Sequence, residues 1–65
     1  MDERVQVYQA PDQARGHITG FWYFAPAGYD VQHWAFSRPH ETEDLAEISA
    51  AAWAARYEEY AHAIH

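Results

Sequence analysis

Hydrophobic and polar residues alternate along residues 4–9, where Val5 and Val7 fall on one side and Arg4, Gln6 and Tyr8 on the other. A period of two predicts a half-buried strand. Residues 10–16 hold Pro11 and Gly16 and read as a loop. Residues 17–25 are rich in β-branched and aromatic side chains (Ile18, Thr19, Phe21, Trp22, Tyr23 and Phe24), which predicts a second, central strand with both faces apolar. Gly20 inside it suggests a bulge or a close backbone approach. Residues 26–28, Pro-Ala-Gly, form a turn. Residues 29–37 alternate again, Val31, His33 and Ala35 against Gln32, Trp34 and Phe36. That pattern predicts a third strand, joined to the second as an antiparallel hairpin.

Pro39 ends strand character, and a long helix follows, with Ser37 or Thr42 as its cap. Glu41, Glu43, Asp44 and Glu47 crowd its start, where the macrodipole favours negative charge. His62 and His65 lie in its last turn, where positive charge is favoured. Projected at ~100° per residue, Leu45, Ile48, Ser49, Ala52, Trp53, Tyr57, Tyr60 and Ile64 share one arc, predicted to meet the sheet. Arg56 also falls within that arc, with its stem along the core edge and its head reaching water. The opposite arc carries Glu43, Glu47, Ala51, Ala54, Glu58 and Ala61, flanked by Asp44. The fold expected is α+β, one domain over residues 1–65. It is a three-stranded antiparallel β-meander followed by a C-terminal amphipathic helix packed on one face (β-β-β-α).

Composition changes this picture in two ways. The chain has 65 residues, no cysteine, and three Trp, five Tyr and three Phe. A domain this short, without disulfides, must spend most of its aromatics on the core. The net charge is −6, from ten acids against four arginines, with no lysine. That balance argues against direct binding to nucleic acid or to anionic membranes, and for a partner with a basic surface. No apolar run approaches the length of a membrane span, and residues 1–4 lack a basic-then-apolar leader pattern, so a cytoplasmic location is expected.

Candidate chemistry is thin. The five histidines, His17, His33, His40, His62 and His65, have no HxxxH or HExxH spacing, and no metal or other cofactor is expected. His62 and His65, three apart, leave a His-rich metal-binding domain as the weakest alternative. The hydroxyls Thr19, Ser37, Thr42 and Ser49 lie in no nucleophile-elbow context, and capping or back-bonding is the ordinary role of Thr42 and Ser49. No Gly-rich phosphate loop is present, so no enzyme is expected.

Two surfaces remain. No basic residue interrupts the outer helix stripe from Glu41 to Ala55, although solvent-exposed helices usually mix bases with acids. Acids at helical spacing imitate, more sparsely, the phosphate field of duplex DNA. The second surface is the sheet face turned from the helix, where aromatics of residues 21–24 would lie exposed unless covered by the 10–16 loop or by a second copy.

In size and charge the whole chain resembles the small acidic anti-CRISPR proteins encoded by bacteriophages, of the kind that mimic DNA. The resemblance is carried by Glu41, Glu43, Asp44, Glu47, Glu58 and Glu59, and by no motif. It implies a stoichiometric inhibitor acting in the host cytoplasm. Those six acids would meet the basic, DNA-reading surface of a CRISPR effector complex, most naturally a type I complex. The four arginines keep open an inhibitor that binds through a mixed surface without mimicking DNA. The alternative from another class is a small homodimeric structural or regulatory module, joined through the aromatic sheet face.

Overall fold

The computed structural model describes residues 4–12 and 14–64, with side chains as far as Tyr57. Among the described residues the elements are β1 (Val5–Gln9), β2 (Trp22–Pro26) and α1 (Glu43–Ile64). β1 falls where the alternation places it. β2 pairs with it antiparallel, with Val7 opposite Phe24 and Tyr8 opposite Tyr23.

The three-stranded meander is not formed: the described sheet has two strands, and residues 29–37 run as turns and bends. The reason lies at Asp30. Its side-chain Oδ1 accepts the Gln32 N–H at 3.0 Å, and its carbonyl accepts the His33 N–H at 3.1 Å. Short polar side chains that hold their own backbone this way compete with a strand ladder. The free edge of β2 is satisfied piecemeal instead. Ser37 Oγ accepts the Phe24 N–H at 3.0 Å, and Trp22 and His40 exchange both backbone hydrogen bonds as an isolated bridge. Pro26, which has no N–H to offer, closes that edge. The second strand is also shorter than predicted. Residues 17–21 turn before it, and Gly20 adopts φ 87°, a conformation that glycine takes at little cost.

α1 starts on Thr42, whose Oγ1 accepts the Leu45 N–H and whose carbonyl accepts the Ala46 N–H, both at 3.2 Å. Thr42, rather than Ser37, is therefore the cap. The helix lies over the sheet face made by Val5, Val7 and Phe24. Its buried stripe is Ala46, Ala50 and Ala54, at four-residue spacing, with Trp53 packed beside it. This corrects the expected packing arc: the helix is turned by roughly 100° about its axis relative to the hydropathy projection. Leu45, Ile48 and Tyr57, assigned to the core by hydropathy, are exposed, and Ala54, assigned outward, is buried. Tyr60 and Ile64, placed on the same arc, lie outside the described side chains. Alanine has no bulk to hold a sheet away, so a three-alanine stripe lets the helix backbone approach closely and keep dispersion contacts.

The opposite sheet face is covered as well. Tyr23 is 1 % exposed and Ala25 is fully buried. His17 and Ile18, in the connection before β2, lie over this face. The Tyr8 hydroxyl and His17 Nε2 are 2.7 Å apart, and the Tyr23 hydroxyl accepts the Ile18 N–H at 2.7 Å. Gln6 fastens the rim through the carbonyls of Pro26 and Tyr29.

Candidate functional site

Two features of the surface stand out, one on each flank of α1. The first is its outward face. Ile48 is 66 % exposed and Leu45 47 %, one turn apart. Around them Glu41, Glu43 and Asp44 are exposed, while Glu47 is half-buried. The small side chains of Ala51, Ala52 and Ala55 continue the exposed surface along the helix. The result is a small apolar patch with acids at its N-terminal end. Of the six acids predicted as contacts, Asp44 is one turn from Ile48 on this face, Glu41 precedes the helix, and Glu43 and Glu47, one turn from each other, lie round toward the alanine stripe. Glu58 and Glu59 lie outside the described side chains. Hydropathy reasoning missed Leu45 and Ile48 as surface residues because it assigned them to the core.

The second feature centres on His40, only 9 % exposed. Its Nδ1 lies 3.1 Å from the Trp22 carbonyl, which can only accept, so this nitrogen carries the proton. Nε2 is then the acceptor, and Ser49 Oγ donates to it at 2.8 Å. A Ser–His pair oriented by a backbone carbonyl ties the edge of β2 to α1. Nine residues separate the two in the chain, and no spacing rule connects them.

This pair lines a groove of about 690 Å³ with Phe24, Phe36, Ser37, Arg38, Ala52, Trp53 and Arg56. Among the described residues no carboxylate lines it, although the chain is acidic overall. A second groove of about 450 Å³, on the other side of Phe36 and Trp53, is mostly apolar. Phe36 and Trp53 meet edge to face, with centroids 5.5 Å apart, and Tyr57 stacks on Trp53 at 5.5 Å. They form an aromatic ridge between the two grooves.

The other histidines are dispersed. His17 donates through Nδ1 to the Arg15 carbonyl at 2.6 Å, which leaves Nε2 to accept from Tyr8. His33 is exposed, with its ring 6.3 Å from that of Trp34, and the side chains of His62 and His65 lie outside those described. Among the described residues, no group of three or more His, Cys, Asp or Glu side chains is placed to hold a metal ion. No described helix is long and apolar enough to cross a membrane. The aromatic sheet face suggested as a dimer interface is lined over by His17 and the Ile18 backbone, and among the described residues the exposed large apolar side chains are Ile18, Trp34 and Phe36 in the connections and Leu45, Ile48 and Tyr57 on the helix. No family model, curated protein or solved structure matches the chain.

Proposed function

We propose that this protein is a non-catalytic inhibitor that docks the outward face of α1 on a basic, DNA-reading surface of a nucleic-acid-handling complex. The observation that carries this reading is the exposure of Leu45 and Ile48 with Asp44 one turn from Ile48, at the acidic N-terminal end of the helix where Glu41 and Glu43 are also exposed. An apolar centre with a charged rim is the usual build of a protein interface. An amphipathic helix presenting spaced apolar anchors is a recurring way to fill a groove. Here the rim is acidic, so the partner's rim is basic, and association is electrostatically steered. Glu47 adds to that rim, and Glu58 and Glu59 extend it by sequence.

A second copy of this chain is a poor occupant. Two copies each carrying a net charge of −6 repel as they approach, which works against this association. Arginines and lysines that read DNA meet phosphates, and carboxylates at helical spacing compete for the same groups. Among such surfaces, the DNA-reading part of a type I CRISPR effector complex is the target to which the resemblance in size and charge points. The compartment is then the cytoplasm of the infected cell. This is a mixed-surface inhibitor more than a pure DNA mimic, because its apolar anchors have no counterpart on a duplex.

The test is target-duplex binding by a purified type I effector complex, with and without the chain. The wild-type protein is expected to block binding, less effectively as salt rises. Joint Glu41→Lys, Glu43→Lys, Asp44→Lys and Glu47→Lys substitution should abolish the block while circular dichroism stays native. A block that survives both charge reversal and high salt, or no block by the wild-type chain, would overturn the proposal.

A further inference from the structure

The groove beside His40 and Ser49 is a site of the opposite chemistry, and it lies off the acidic rim. One wall comes from α1, where Ser49, Trp53 and Arg56 follow at four- and three-residue spacing and so share a face. The other wall is the segment that replaces the third strand, with Phe36, Arg38 and His40 at alternate positions. Two of the four arginines in the chain are thus gathered in one groove, with no acid among the described residues that line it. The pair at its floor is fixed: His40 is held on both ring nitrogens, and Ser49 is committed to it at 2.8 Å. Phe36 and Trp53 supply ring surface beside the guanidinium groups, and Phe36 is exposed.

We infer that this groove binds a small anion carrying a flat ring, of the nucleoside monophosphate class. The phosphate meets Arg38 and Arg56, because guanidinium forks pair with phosphate oxygens through two parallel hydrogen bonds. The ring lies against Phe36 and Trp53, since every base offers a π-face to an aromatic side chain. A free volume of about 690 Å³ is within the range of small-molecule sites. The inference does not depend on the proposed docking of the outward helix face. The four acids of that proposal are absent from the groove lining, so their reversal should leave this binding in place.

The experiment is calorimetric titration of the full chain with AMP, with inorganic phosphate and with adenosine, accompanied by amide chemical-shift mapping. AMP should bind at least about tenfold more tightly than either fragment, because only AMP engages both halves of the site. Its shifts should fall on residues 36–40 and 49–56. Arg38→Gln with Arg56→Gln should weaken AMP binding by about tenfold or more, with Arg38→Lys and Arg56→Lys together retaining part of it. Three results would each overturn the inference. These are no AMP binding up to about 1 mM, AMP affinity unchanged in the glutamine pair, or phosphate alone binding as tightly as AMP.

Discussion

Tyr8 shows how one residue serves the cover of the sheet. Its ring stacks on Tyr23, with centroids 6.0 Å apart, and its hydroxyl donates to His17 Nε2. Burial, and then the neighbouring Tyr23 and Tyr29, push its phenol from an ordinary 10.0 up to about 12. The sign of the consequence follows from proton binding. Below about pH 10 both folded and unfolded chains keep this proton, and stability does not depend on it. Between about 10 and 12 the unfolded chain releases the proton while the folded chain holds it, so stability falls as pH rises through that window. The midpoint of urea unfolding, followed against pH, should therefore decline there. Tyr8→Phe should show a shallower decline, by up to one proton, although it starts lower for want of the His17 hydrogen bond. Equal slopes in the two proteins would show that Tyr8 titrates as freely in the fold as out of it.

At the scale of elements, β1 was legible because Val5 and Val7 alternate with polar residues in a strand of the right length. The segment 29–37 alternates just as well and is not a strand. Periodicity carries no record of the Asp30 side chain capturing the Gln32 amide. α1 was legible as a helix, with acids in its first turn, but its rotation was not. A hydropathy projection weights Leu45 and Ile48 above any alanine, whereas packing rewards close approach, which Ala46, Ala50 and Ala54 allow. The exposure of Glu41, Glu43 and Asp44 follows from their charge, while that of Leu45 and Ile48 was hidden because hydropathy assigned both to the core. The His40–Ser49 tie was hidden for a different reason, since it depends on a non-strand segment returning to the edge of β2. Two substitutions separate the faces. Ala50→Leu adds bulk to a filled position and should destabilise by ~1–3 kcal/mol. Ile48→Ala removes an exposed side chain and should change stability by no more than ~0.5 kcal/mol. Chemical denaturation that ranked these in the reverse order would place Ile48, not Ala50, against the sheet.

For the whole molecule, the consequence of this packing is a core of little bulk. Among the described residues, the buried apolar ones are Val5, Tyr23 and Phe24 together with alanines. The 22 residues of α1 run ~33 Å at 1.5 Å per residue. Five-residue strands reach only ~17 Å, so the helix outruns the sheet it packs on. A domain with so small a core sits near the low end of ordinary stability. Exposed Leu45 and Ile48 then have a thermodynamic role if a partner covers them, because a ligand that binds only the folded chain stabilises it by mass action. At a partner concentration of 100 Kd the gain is ~2.7 kcal/mol. In a domain of this size that corresponds to a rise in Tm of roughly 10–20 °C. Ile48→Asp keeps the acidic field and removes the anchor. It should move the Tm of the free chain by only a few degrees, roughly the cost of a poorer helix former, and should cancel most of the rise that the effector complex produces. A Tm that climbs with concentration of this chain alone, and loses that dependence in Ile48→Asp, would assign the apolar centre to a second copy and remove the basic partner from the account.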